Sequence, residues 1–206
     1  MIQNCKICGV KDSQTLSYII NHKHPPKMIG FICNWPKSKR FVNNEDLIRL
    51  LSIDKKQSKF VAVLVNPDKI ILEKLKNLPF DYYQIYDSKP SYIKTIKEKY
   101  NKKIISVVTV SNKDDVNNYK QYENISDIIL FDSQGYHKSL AFNHDYLDKV
   151  ITKLPIMIAG DIKINDLDNF KNKNFCIDIS GGLETEGIKD INKIDKFLNS
   201  VHNIFS

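Results

Sequence analysis

Residues 60–77 read Phe-Val-Ala-Val-Leu-Val-Asn-Pro-Asp-Lys-Ile-Ile-Leu-Glu-Lys-Leu-Lys-Asn. The first six, Phe60–Val65, form an unbroken apolar run rich in valine, as strands buried on both faces of a parallel sheet are. Pro67 suits a helix start, and Ile71, Leu72 and Leu75 are spaced to bury one helical face through Asn77. One strand, one turn and one helix fit in eighteen residues. The same unit recurs on both sides. Apolar runs stand at Cys5–Gly9, Met28–Cys33, Tyr82–Tyr86, Ile104–Val110, Ile128–Asp132, Ile156–Ala159 and Cys176–Ser180. Helix-length segments follow them at 12–21, 44–51, 90–100, 114–122, 143–151, 165–171 and 190–204. Asp12 is a possible cap for the first, and Leu47, Leu50 and Leu51 share a face of the second.

Strand–helix alternation implies a parallel sheet with right-handed crossovers. Eight units can make an open doubly wound sheet or a closed ring. The count favours a (β/α)8 TIM barrel of the α/β class, at the short end of its size range. No linker or low-complexity stretch divides residues 1–206, so a single domain is expected.

The net charge is +7, but among 31 basic residues only Arg40 and Arg49 are arginine. The lysines are scattered, without an arginine stripe or an interleaved stacking platform, which argues against nucleic acid as a partner. A basic surface that attracts anionic metabolites fits better. No apolar run approaches a membrane span, and no secretory signal precedes Cys5. A cytoplasmic protein without a membrane partner is expected. The four cysteines, Cys5, Cys8, Cys33 and Cys176, do not suggest a disulfide framework.

Cys5 and Cys8 have the spacing of a metal or redox pair. In a strand, side chains alternate faces, so residues three apart point oppositely. No second ligand pair at suitable spacing is present, and no metal site is expected. Lys6 and Cys8 do share a face, at the carboxyl end where barrels place their active sites. A thiol beside an ammonium is expected to have a lowered pKa and to serve as a base. A free cysteine is also commonly just a small buried hydrophobe.

The other strand ends carry further groups. Asp132 puts a carboxyl at the mouth of strand six, or caps a turn there. Asp178 and Ser180 share a face of strand eight, which lies beside strand one in a closed barrel. Asp178 can therefore pair with Lys6, as a buried charge requires. Ser180-Gly181-Gly182 lets backbone amides approach an anion, although Gly-Gly also serves plain tight turns. Arg40 carries a fork suited to a carboxylate, or is a solvated loop charge. A thiol base facing a carboxylic acid suits proton transfer next to a carbonyl or imine. No nucleotide or metal motif appears, so no cofactor is expected.

These residues carry a resemblance. The chain resembles the phosphoribosylanthranilate isomerase family of tryptophan biosynthesis. The matching segments are 6–12 (Lys-Ile-Cys-Gly-Val-Lys-Asp), 29–31, 36–42 (Pro-Lys-Ser-Lys-Arg-Phe-Val), 63–66, 131–133 (Phe-Asp-Ser), 177–184 (Ile-Asp-Ile-Ser-Gly-Gly-Leu-Glu) and 187–190 (Gly-Ile-Lys-Asp). The resemblance implies an Amadori rearrangement of N-(5-phosphoribosyl)anthranilate to 1-(2-carboxyphenylamino)-1-deoxyribulose 5-phosphate, an aldose–ketose isomerisation. Asp132 would open the ribose ring as acid and Cys8 would take the C2′ proton. Arg40 would hold the anthranilate carboxylate, with Lys6, Asp178 and Tyr86 as further substrate contacts. Gly160, Ser180, Gly181 and Gly182 would take the phosphate of a small phosphorylated substrate. A monomer or homodimer is expected. A barrel isomerising another phosphosugar or amino sugar, or a non-catalytic ligand-binding descendant, would also fit.

Three places depart from the family pattern. Its Gln-Leu-His-Gly is Gln84-Ile85-Tyr86-Asp87 here, and its glycine-rich loop after strand six is only echoed by residues 135–143. Its Gly-Gly after strand seven is Gly160-Asp161. A carboxylate ~4 Å from a phosphate charge costs about 4 kcal/mol at an effective dielectric near 20, so Asp161 is expected to point away or to weaken binding.

Overall fold

A computed structural model describes residues 5–134 and 141–205. Eight strands close into a parallel barrel in sequence order, each bonded to the next and the eighth to the first. They are β1 (Cys5–Cys8), β2 (Met28–Ile32), β3 (Lys59–Val65), β4 (Tyr82–Tyr86), β5 (Lys103–Val110), β6 (Ile128–Ser133), β7 (Ile156–Ile158) and β8 (Phe175–Ile179). The β1–β8 seam sets Lys6 opposite Asp178 and Cys5 opposite Ile177.

Period two sorts the side chains into two cores. Cys8, Met28, Val61, Leu130 and Met157 pack inside the ring. Cys5, Ile7, Phe31, Phe60 and Phe131 pack outward against the helices. Cys5 and Cys8 thus sit in different layers, which separates the two thiols as strand geometry requires. All four cysteines are free and buried.

The helices α1 (Ser13–Asn21), α2 (Asn44–Leu51), α3 (Lys69–Leu75), α4 (Pro90–Tyr100) and α5 (Ile191–Phe205) cover the ring. Asp12 caps α1 by accepting from the Thr15 amide at 2.7 Å. α3 starts two residues later than Pro67 suggests. Asp68 is its cap, accepting from the Ile71 amide at 2.8 Å, and an aspartate cap fixes the start more strongly than proline does.

Three expected helices are instead 3₁₀ turns, at Asp114–Tyr122, His144–Lys149 and Ile164–Phe170. Aspartate and asparagine side chains compete there for backbone amides. Asp115 accepts from the amides of Ser111 and Asn112, Asn143 from Asp145, and Asp166 from Lys163. These turns still bury Val116, Leu147 and Leu167 on the barrel. After β8 the chain makes a 3₁₀ turn, Gly181–Leu183, then an antiparallel ribbon of β9 (Glu184–Thr185) and β10 (Ile188–Lys189). The alternation of units gave no sign of this ribbon. Among the described residues no helix is long and apolar enough to cross a membrane.

Candidate active site

The carboxyl ends of the strands surround an open cavity. Cys8, Arg40, Tyr86, Asp132, Gly160, Asp178, Ser180, Gly181 and Gly182 all line it. Lys6, expected as a further substrate contact, is not among the lining residues. It is fully buried beneath the cavity floor.

β1 positions Lys6 and Cys8 on the inner face, and Gly30 of β2 makes room for them. A Cβ at Gly30 would come 2.9 Å from the Cys8 sulfur and 3.1 Å from Lys6 Nζ. Lys6 Nζ donates to Asp178 Oδ2 at 2.8 Å, as the strand register dictates. Burial pulls the Lys6 ammonium down, but Asp178 and Cys8 more than offset this and its net move is upward. Burial pushes the Asp178 carboxyl up more than the facing Lys6 ammonium pulls it back, so its net move is upward. Asp178 Oδ1 is buried with no hydrogen-bond partner among the described residues.

Burial also decides the state of Cys8. It raises the thiol more than Lys6 lowers it, so the net shift is upward, opposite to that expected from the neighbouring ammonium alone. In a site this dry, desolvation of a thiolate outweighs one shared cation.

Asp132 ends β6. Its Oδ2 accepts from the Tyr86 hydroxyl at 2.7 Å and its Oδ1 from the Ser133 amide at 2.8 Å. Burial raises its pKa to about 6, with Tyr86 and Ser133 pulling down and the Asp178 charge pushing up. A carboxyl raised this far is partly protonated near neutral pH and can give that proton.

Arg40 is more committed than its sequence suggests. Its Nε and Nη2 donate to Glu184 Oε1 and Oε2 at 2.6 and 2.8 Å. That fork, expected for a ligand carboxylate, is held by the chain's own. A guanidinium has five N–H donors, so the three hydrogens not used on Glu184 remain. Gly9 carries a φ of +74°, and a Cβ there would meet Arg40 Cδ at 2.5 Å. The glycine therefore both turns the chain and seats the arginine stem.

Glu184 also accepts from Lys189 at 2.6 Å. Lys189 reaches the Ser180 carbonyl at 3.1 Å, and the Ser180 hydroxyl donates to the Cys8 carbonyl at 3.0 Å. The ribbon thus ties Arg40 to the end of β1. Sequence reasoning quoted Glu184 and Lys189 without giving them a task. Their signal was two charges five residues apart flanking the Glu186-Gly187 bend, both of which lie buried.

Asp161 lines the cavity in a left-handed conformation, φ +51°, and pairs with Lys163 at 3.5 Å. The pair partly neutralises the charge at the expected phosphate end. Trp35 lines the same cavity. Of the five histidines, His144 bonds the Ala159 carbonyl at 3.0 Å, His22 pairs with Asp195, and His24 stacks on His202. His137, and the echo of a family loop at residues 135–140, lie outside the described residues.

The closed ring and its mouth of thiol, carboxyl and seated cations define a (β/α)8-barrel isomerase. The family model for N-(5′-phosphoribosyl)anthranilate (PRA) isomerase matches residues 5–200, and the chain belongs to that family. A curated N-(5′-phosphoribosyl)anthranilate isomerase of Thermoanaerobacter pseudethanolicus is 29% identical over 207 aligned residues, covering 97% of this chain and 98% of its own. The crystal structure of phosphoribosyl anthranilate isomerase from Thermotoga maritima superposes with a TM-score of 0.83 at 22% identity, covering 98% of this chain and 100% of that one. A third relative, at TM-score 0.80 and 22% identity over 98% of this chain and 100% of its own, is a phosphoribosyl anthranilate isomerase in complex with reduced 1-(o-carboxyphenylamino)-1-deoxyribulose 5-phosphate.

Proposed function

We propose that Cys8 and Asp132 are the base and acid with which this chain performs the isomerisation of its family, on N-(5′-phosphoribosyl)anthranilate. The observation that carries this reading is that the β1 thiol and the β6 carboxyl line one cavity together with Arg40.

Asp132 gives its proton to the ribose ring oxygen. The C1′–O bond breaks as the anilino nitrogen lone pair forms a C1′=N iminium, and the ring oxygen becomes the C4′ hydroxyl. Cys8, in the minor thiolate form that burial leaves beside Lys6, then takes the C2′ proton, and the C–H electrons neutralise the iminium to an enolamine. Tautomerisation moves the C2′ hydroxyl proton to C1′ and leaves the ketone. Passing the thiol proton back to Asp132 restores the starting state, so the cycle consumes nothing. Lys6 is the cation beside which the thiolate forms. It acts through Cys8 and Asp178 rather than on the sugar.

Arg40 holds the anthranilate carboxylate with the N–H groups Glu184 leaves over. Asp178 Oδ1 accepts from a sugar hydroxyl, since a buried acceptor without a donor costs about 1–3 kcal/mol. The backbone at Gly160 and Ser180–Gly182 takes the phosphate, and the Trp35 ring lies against the aromatic end. The substrate fluoresces through its anthranilate group, so turnover by purified protein is read as loss of that signal. Cys8→Ser should nearly abolish it, and Arg40→Ala should raise KM. No loss above buffer with the unaltered chain would end this reading.

A further inference from the structure

Tyr86 stands where the family motif carries histidine, and its phenol donates to the acid at the cavity wall. Three side chains make a line inside the ring. Gln84 Nε2 donates to the Tyr86 hydroxyl at 3.2 Å, and that hydroxyl donates to Asp132 Oδ2 at 2.7 Å. Gln84 and Tyr86 share the inner face of β4 by period two, so one strand supplies both members. Gln84 is fully buried and Tyr86 nearly so. The far oxygen of Asp132 takes the Ser133 amide. The carboxyl is therefore gripped at both ends by donors.

We propose that Tyr86 is a positioning residue for the acid: its hydroxyl, held by Gln84, fixes the plane of the Asp132 carboxyl and supplies the hydrogen bond against which that carboxyl must take up its proton. The inference rests on Asp132 being the acid. A donor to a carboxylate favours the ionised form. Burial and the Asp178 charge push the other way, and the Tyr86 hydrogen bond is the strongest pull against them. Among the described residues, Lys6 from β1, Tyr86 from β4 and Asp178 from β8 act on Asp132, and Cys8 of β1 acts on Tyr86. Thr109, the register partner of Asp132 on β5, carries no charge.

Removing the hydroxyl leaves burial and Asp178 less opposed, so Asp132 should hold its proton to higher pH. Strengthening the donor should do the reverse.

The test is the pH profile of kcat/KM with the fluorescent substrate. The unaltered enzyme should show a lower inflection near pH 6, and residual activity of Asp132→Asn should lack it. Tyr86→Phe should move that inflection upward by about one pH unit, the worth of one hydrogen bond to a charged group. Should that variant not fold, 3-fluorotyrosine placed at residue 86 keeps the shape, sharpens the donor, and should move the inflection down. An inflection unmoved by either change, with activity lowered evenly at all pH, would reduce Tyr86 to packing and overturn the inference. A change in KM alone would make it a substrate contact and overturn it equally. An inflection that survives Asp132→Asn would instead remove the assignment of the acid, and this inference with it.

Discussion

The Lys6–Asp178 pair is the sharpest test of how this barrel holds charge in its interior. Lys6 is fully buried, its partner is 5% exposed, and the two meet at 2.8 Å. Replacing Asp178 by Asn leaves shape and volume nearly unchanged. It also leaves an ammonium without a counter-charge under the cavity floor. Breaking a buried pair from one side costs about 3–5 kcal/mol, because the remaining ion is neither solvated nor paired. For a chain of this size that is a drop of roughly 10–15 °C in Tm, or ~1.5 M in the urea midpoint at a slope of about 2.5 kcal/mol/M. The double replacement Lys6→Met with Asp178→Leu removes both charges and should recover most of that loss, since an apolar pair of similar volume avoids the desolvation. Urea unfolding followed by circular dichroism, run as a double-mutant cycle, separates the two cases. If Asp178→Asn lies within about 1 kcal/mol of the unaltered chain, or the double variant is as unstable as the single, the ion-pair account is wrong.

Three more outcomes follow from the same geometry. Asp132 has a folded-state pKa of about 6, above its unfolded value near 3.9, so the folded state binds the extra proton and stability falls as pH rises from ~4 to ~6. Asp132→Asn should therefore lose most of its activity yet be about 1 kcal/mol more stable at pH 8, with the advantage vanishing below pH ~4 in thermal melts. Glu184→Gln frees Arg40 and strands Lys189, and should raise KM about tenfold (~1.4 kcal/mol) with a smaller change in kcat, checked by steady-state kinetics. Asp161→Gly removes a carboxylate from the cavity wall at a left-handed position glycine tolerates. Because Lys163 already screens that charge, the gain should be modest, with KM and the inhibition constant of inorganic phosphate both falling about three- to tenfold.

Most of the ring was legible because its signals are local. Buried parallel strands need apolar runs, and Phe60–Val65 or Ile104–Val110 can do little else. Strand order, the opposite facing of Cys5 and Cys8, and the Lys6–Asp178 pairing all follow from period two plus closure of eight units. The failures were of another kind. The 114–122, 144–149 and 164–170 segments show enough apolar spacing for helices, but their Asp and Asn side chains capture backbone amides and tighten them to 3₁₀ turns. The ribbon at 184–189 was missed because two-residue strands have no periodicity to read.

The chain's order of residues, by itself, determined which groups reach the mouth: a thiol ends the first strand, a carboxyl the sixth, and glycines follow the eighth. Only the tertiary structure decided what those groups are like when they arrive. Burial turned Cys8 into a thiol harder, not easier, to ionise, and raised Asp132 to where it can give a proton. Glu184 claimed the Arg40 fork from 144 residues away, and Tyr86 claimed an oxygen of Asp132. Spacing along a chain tells which face a side chain takes, but desolvation and through-space partners set its charge state, and neither exists until the ring has closed.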